Sequence, residues 1–226
     1  MIHIVSMNDI KIYLYDEDIS IDINNYINNI EVREIYVYSF LNEYENNVIN
    51  FIESCINLDV LRIDVNLSRK INMNELYNLR MLMMCENCRD LVFNFGDLRS
   101  LINLEILQLP ESYNGPLDNF DCLENLTELT IGREYEGSID SLYNMSNLKI
   151  LVVRSYNVSS YNKLPANLES LSLRELKDPI KNIPRSLKYL SVRYIDYESY
   201  NLMKLSNDIS NRLPEECEVY FTCYIV

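Results

Sequence analysis

Residues 98–109 read LRSLINLEILQL, and the steps between the leucines decide the architecture. Leu107 and Leu109 alternate with the period of two of a strand that buries one face. Leu98, Leu101 and Leu104 lead into them in steps of three, which no strand produces, so the chain enters the strand from a buried turn. The ending, apolar-x-x-apolar-x-apolar, recurs: VREIYV (32–37), LDVLRI (58–63), LRMLMM (79–84), LEILQL (104–109), LTELTI (126–131), LKILVV (148–153), LESLSL (168–173) and LKYLSV (187–192). The central residues are Ile35, Leu61, Leu82, Leu107, Leu129, Leu151, Leu171 and Leu190, spaced by 26, 21, 25, 22, 22, 20 and 19. One copy carries little information; recurrence at a steady period marks stacked coils. At CRDLVF (88–93) the frame is open, because Leu91 fits a strand centre as well as Leu82 does. Nine residues between them are too few for two coils, so only one of the pair centres the third repeat.

Each coil leaves apolar surface that only the next coil covers, so stacking creates a continuous core. Between strands the apolar period lengthens toward helical or 3₁₀ segments. Over Ser39–Ile56, the residues Phe40, Leu41, Tyr44, Val48, Phe51, Ile52 and Cys55 fall on one helical face. Beyond the array, Ile2–Val5, Ile10–Tyr15 and Glu218–Val226 read as strands. Residues 197–212 read as a helix that turns Leu202, Leu205, Ile209 and Leu213 inward and stops at Pro214. The expected organisation is one domain: an N-terminal cap over 1–29, repeats over 30–195 and a C-terminal cap over 196–226. Its class is an α/β solenoid of about eight coils, curved, with parallel strands on the concave face and helices and turns on the convex face.

This pattern resembles the leucine-rich-repeat family over about residues 30–195. Many members carry Asn in the turn after the strand, and here that Asn is largely missing. KLPANLESLSL (163–173) and NIPRSLKYLSV (182–192) are similar to the FNIP-type variant, Leu/Ile-Pro-x-x-Leu-x-x-Leu-x-Leu. That resemblance implies an Asn- and Ile-rich array of the kind found in amoebae and large DNA viruses, working by protein recognition.

Composition narrows the function further. The 226 residues carry 20 Lys+Arg against 34 Asp+Glu, a formal charge of -14. A field of that sign repels nucleic-acid phosphates and anionic lipid, so neither is an expected partner. No apolar window reaches the length of a membrane span, and MIHIVSMNDI is not a secretory leader. Six cysteines in apolar settings such as FIESCINL (51–58) suit small buried hydrophobes better than a disulfide framework. The sequons at Asn66, Asn125, Asn144 and Asn157 number about what chance supplies among 29 Asn. The expected location is intracellular, in the host cytoplasm if the source is viral.

Catalysis finds little support. His3 is the one histidine, far in sequence from any nucleophile, and four Gly cannot write a phosphate-cradling loop. No catalytic residue, cofactor or metal site is expected. Cys85-x-x-Cys88 has a spacing that can bind zinc or exchange thiols, and a metal- or thiol-dependent protein is one alternative reading. Two more ligands in place are lacking, so buried thiols are the plainer outcome.

The strand face carries the better candidates. In the fold the x residues point outward, and stacked strands bring equivalent positions about 4.8 Å apart. One position past each strand's last apolar residue stand Tyr38, Asp64, Cys85, Pro110, Gly132, Arg154, Arg174 and Arg193. Arg154, Arg174 and Arg193 form a ladder on successive coils, with Arg133 beside it and Lys149 and Lys188 at the strands' other ends. In an acidic chain this stripe suits a partner with an acidic segment, since Arg binds carboxylates bidentately. The competing reading pairs these arginines with Glu169, Glu175 and Asp196. Toward the N-terminus, Tyr36, Tyr38, Val60, Met81 and Met83 project from the first strands, and Tyr and Met suit interface centres. The expected function is therefore non-catalytic binding of a protein on the concave face. The alternative in that class is an adaptor that engages a host ubiquitin-ligase or immune component.

Overall fold

A computed structural model describes residues 10–14, 32–38, 45–176, 180–194 and 212–221. Two compact units divide the chain, Met1–Glu111 and Ser112–Val226. In the first unit, β1 (Ile10–Leu14), β2 (Val32–Val37), β3 (Val60–Ile63), β4 (Met81–Met84) and β5 (Ile106–Gln108) lie side by side in that order, each parallel to the next. In the second, β6 (Glu128–Ile131), β7 (Ile150–Val153), β8 (Ser170–Glu175), β9 (Tyr189–Tyr194) and β10 (Glu218–Phe221) do the same. Strands that are sequential and also parallel require a full crossover between each pair. That crossover is the body of the coil.

The repeated apolar residues explain the register. Ile35, Leu61, Leu82 and Leu107 are directly aligned across β2–β5, and Leu129, Leu151, Leu171 and Leu190 across β6–β9. All eight side chains are wholly buried. A slip of one residue in any strand would turn its leucines to solvent, so burial alone holds the alignment. Leu82, not Leu91, centres β4; Leu91 is buried in the following loop.

The steps of three are 3₁₀ geometry. With three residues per turn, positions i and i+3 share a face. Leu117, Phe120, Leu123 and Leu126 form such a run, as do Ile139, Leu142, Met145 and Leu148, every one of them buried. After the first residue of each run, every one of these residues donates its backbone N–H to the carbonyl three residues back at 2.9–3.2 Å. The 3₁₀ helices Phe95–Ser100, Asp118–Cys122 and Asp140–Asn144 are the regular parts of these entries. The longer spacing of 26 between Ile35 and Leu61 holds an α-helix instead, α1 (Glu45–Ser54). Val48, Phe51, Ile52 and Cys55 face inward as expected, joined by Ile49. Phe40, Leu41 and Tyr44 lie outside the described residues, as do Ile2–Val5 and the expected helix up to residue 211. Of the expected end strands, β1 and β10 are present.

Asparagine does build a ladder, at a position other than the turn after the strand. It stands immediately before the first leucine of the coil. Asn78 Nδ2 donates to the Ile56 carbonyl at 3.1 Å, and Asn103 Nδ2 to the Tyr77 carbonyl at 2.9 Å. Asn147, Asn167 and Ser186 donate likewise to Glu124, Ser146 and Ala166, at 2.7, 2.8 and 2.9 Å. Each acceptor is the residue preceding the ladder position of the coil before. The recurrent Asn-Leu pair in YNLRML, INLEIL, SNLKIL and ANLESL was the available signal.

Candidate functional site

The arginine row is assembled in the second unit. Strand β8 alternates half-buried and buried, which puts Ser170, Ser172 and Arg174 on the solvent face and Leu171, Leu173 and Glu175 inside. Arg154 continues β7 one residue past its end, where its N–H still bonds the Ile131 carbonyl at 3.0 Å. The pairs Val153↔Leu173 and Leu173↔Val192 then bring Arg154, Arg174 and Arg193 to one register position on neighbouring strands. Arg154 and Arg174 are half-buried and Arg193 is exposed. The Arg174 guanidinium lies 4.4 Å from the centroid of the Tyr156 ring, a cation–π contact. Arg133 is exposed in the turn after β6, one residue beyond the row's position, which Gly132 holds.

Of the acids suggested as partners for these arginines, Glu169 is held by lysines. Glu169 sits between two lysines, with Lys188 Nζ at 2.6 Å and Lys149 Nζ at 3.7 Å. The hydrogen bond and charge of Lys188 hold its carboxyl below the usual glutamate range. Glu175 points into the interior and is 6% exposed. Asp196 lies outside the described residues.

The floor beside the row is small. Thr130, Val152, Ser172 and Ser191 share the neighbouring column, with Ile150, Ser170 and Tyr189 in the next. Ile150 and Tyr189 expose 37% and 48% of their surface, so the far side of this shallow floor is apolar.

The first unit carries the other candidates, arranged differently than expected. Tyr36, Arg62, Met83 and Gln108 share one column, and Glu34, Val60, Met81 and Ile106 the next. Tyr36, Tyr38, Met81 and Met83 are half-buried on the solvent face. Arg62, which sequence reasoning passed over, stands in the middle of them. Its guanidinium is 5.9 Å from the Tyr38 centroid. The Tyr36 hydroxyl donates to Glu34 Oε2 at 2.8 Å. The patch is therefore mixed in polarity, an arginine and a glutamate set among Met and Tyr.

Three expected outward positions are corrected. Cys85 is 5% exposed, and its N–H bonds the Ile63 carbonyl at 2.8 Å while a turn back from Cys88 covers it. Pro110, and Gly132 at the equivalent position of the second unit, are buried too, because a turn follows β4, β5 and β6 within two or three residues. Burial pushes the Cys88 thiol up to about 12, and its Sγ lies 3.2 Å from the Asp90 carbonyl. At neutral pH that sulfur is a protonated thiol, poorly suited to attack or ligation. Among the described residues no three His, Cys, Asp or Glu side chains converge as metal ligands.

A groove of about 780 Å³ opens on the turn side of the second unit. Two copies of Tyr-x-Gly-x-Leu/Ile-Asp, beginning at Tyr113 and Tyr135, build it. Each tyrosine folds over its glycine; the hydroxyl of Tyr135 donates to the Ser138 carbonyl at 2.7 Å and that of Tyr113 to the Pro116 carbonyl at 2.5 Å. The rings stack at 6.5 Å. Asp140 is absorbed by the fold. Desolvation opposes its charge, but Ser160 Oγ at 2.6 Å and the Lys163 N–H at 2.8 Å outweigh that and hold the carboxyl below its usual range. This groove is a turn architecture rather than a reactive centre.

No helix among the described residues is long and apolar enough to cross a membrane. No family model matches the sequence, and no curated protein does. Among solved structures, the chain is similar to an internalin from Listeria monocytogenes, at 13% identity, covering 96% of this chain and 68% of that one with a TM-score of 0.54. Together with the aligned leucines and parallel rungs, that likeness shows a leucine-rich-repeat fold, an α/β solenoid.

Proposed function

We propose that this protein is a non-catalytic interaction module that holds a protein partner against the solvent face of its strands. The observation that carries the reading is the arginine row. Three guanidinium groups are set in register on a parallel sheet of a chain with net charge -14. Like charges on adjacent strands repel, and Glu169 is held by Lys149 and Lys188. An acidic segment of a partner is the charge complement of such a row. Tyr36, Tyr38, Met81 and Met83, with Arg62 among them, form a second contact patch in the first unit. The FNIP-like form of residues 163–173 and 182–192 supports a viral or amoebal source and a partner inside the host cell.

The test is quantitative capture from lysate with wild type and with Arg154→Glu/Arg174→Glu/Arg193→Glu. Proteins lost from the triple variant at an unchanged melting temperature support the reading. Identical captured sets from the two proteins refute it.

A further inference from the structure

We infer that the segment received by the second unit is an acidic α-helix lying across β7, β8 and β9, with carboxylates one helical turn apart opposite Arg154, Arg174 and Arg193. The inference rests on the strand-face reading above and names the form of the ligand. It comes from pitch. Neighbouring strands are about 4.8 Å apart, so the row advances about 9.6 Å from Arg154 to Arg193. On an α-helix, side chains at i, i+3 or i+4, and i+7 share a face and advance about 10.5 Å over that run. The misfit is about 1 Å across the whole row, within the reach of flexible Arg and Glu side chains.

An extended segment along the same line fares worse. Its same-face side chains advance about 6.7 Å per step, so the misfit is about 2 Å at the second arginine and about 4 Å at the third. Only two of the three cations are then met in line.

The width agrees with the pitch. From the column of Ile150, Ser170 and Tyr189 to the arginine row is four residues along each strand, about 13 Å. A helix with its side chains is about 10–12 Å across. The column between them, Val152, Ser172 and Ser191, has no large side chain to obstruct it. A helix seated there sets its acidic stripe on the arginines and an adjoining apolar stripe on Ile150 and Tyr189. The Arg174 guanidinium is held 4.4 Å from the Tyr156 ring centroid, and its planar fork suits a bidentate contact.

The probes are two 21-residue peptides of identical composition, titrated by fluorescence anisotropy against the full chain. One is stapled as a helix, with Glu at i, i+4 and i+7 and Leu on the adjoining face. The other alternates Glu with every second residue and is not stapled. The expected result is at least tenfold tighter binding of the helical peptide, lost in high salt. Arg154→Ala/Arg174→Ala/Arg193→Ala should weaken it about 30-fold, near threefold per arginine, without moving the melting temperature. Arg174→Lys, which keeps charge but not the fork, should cost about threefold. Equal or tighter binding of the alternating peptide overturns the helical form and leaves the acidic-segment reading standing. If neither peptide binds at millimolar concentration, the acidic occupant falls and the inference with it.

Discussion

The two units have interiors of the same kind and differ on the outside. Inward columns are interchangeable: Ile35, Leu61, Leu82 and Leu107 in the first unit, Leu129, Leu151, Leu171 and Leu190 in the second, all fully buried. On the solvent face the first unit presents Tyr36, Arg62, Met81 and Met83, bulky and mixed in polarity. Equivalent positions in the second are Val152, Ser170, Ser172 and Ser191, with arginines along one margin. Packing dictates the first set of columns and leaves the second set to vary. The outward columns are therefore where two stretches of one array acquire different surface chemistry.

The largest effects should fall where the units agree. Leu82→Ala and Leu129→Ala each remove a wholly buried side chain and should each cost about 3 kcal/mol in urea denaturation. Met83→Ala, one residue along from Leu82 and outward, and Ser172→Ala, likewise outward beside Leu171, should stay within about 0.5 kcal/mol. A large cost at Ser172 would break the distinction between a dictated interior and a free face.

The turns separate the units next. A Cβ on Gly137 would sit 2.5 Å from the Tyr135 hydroxyl oxygen, and that ring cannot swing away, being stacked on Tyr113 and tied to Ser138. Gly137→Ala should therefore destabilise by about 2 kcal/mol. Gly96 of the first unit meets nothing within 4 Å. Gly96→Ala should be neutral or stabilise by about 0.5 kcal/mol, through the unfolded chain. Thermal melts of the two variants give the contrast directly.

Legibility follows the same division. The leucines announced strands, register and coil because burial acts on apolar residues wherever they recur. Steps of three announced 3₁₀ entries for the same reason. Polar devices were harder to see. The asparagine ladder depends on one amide reaching the carbonyl of the preceding coil, and the sequence shows only an Asn before a Leu. Cys85 was placed outward by extending a strand's alternation past its end, where the chain had already turned in. Arg62 occupies an outward x position, and nothing in its sequence setting distinguishes it from a solvating surface charge. The arginine row was legible because counting from each central leucine gives the register directly.

Alkaline pH distinguishes the units by which group titrates first. Burial raises Cys55 and Cys88 in the first unit from 9.0 to about 12. In the second, it raises Tyr135 from 10.0 to about 12 and Tyr113 further still. A folded-state value above the unfolded one means the folded chain holds protons that the unfolded chain releases. Stability is then complete below the unfolded value and declines as pH climbs toward the folded one. Loss should begin above pH 9 through the cysteines and steepen above pH 10 through the tyrosines. Denaturation at pH 8, 9.5 and 11 checks this. Cys55→Val/Cys88→Val should flatten the earlier decline, and Tyr113→Phe/Tyr135→Phe the later one. A decline unchanged in both variants would sink the assignment.

The smallest effects lie in the one outer feature that both units repeat, a line of alternating charge at the strand entries. The first unit reads Arg33, Asp59, Arg80 and Glu105, with Arg80 and Glu105 in a two-pronged contact at 2.7 and 2.9 Å. The second reads Lys149, Glu169 and Lys188. All are at the surface, where water screens the attraction and long side chains lose freedom to pair. Arg80→Ala should therefore cost no more than about 0.5 kcal/mol, vanishing in molar salt. Glu169→Gln differs in kind, because the two lysines it leaves lie two strands apart with nothing between them to neutralise either. The Glu169 carboxyl, held low chiefly by its hydrogen bond to Lys188, stabilises above its unfolded value of 4.5 and loses that contribution as pH falls through the folded value. The wild type and Glu169→Gln should thus differ at pH 7 in low salt, and the gap should narrow as acid titrates the folded carboxyl. A gap that acid does not narrow, or one that molar salt leaves intact, would show that Glu169 acts through packing and not through charge.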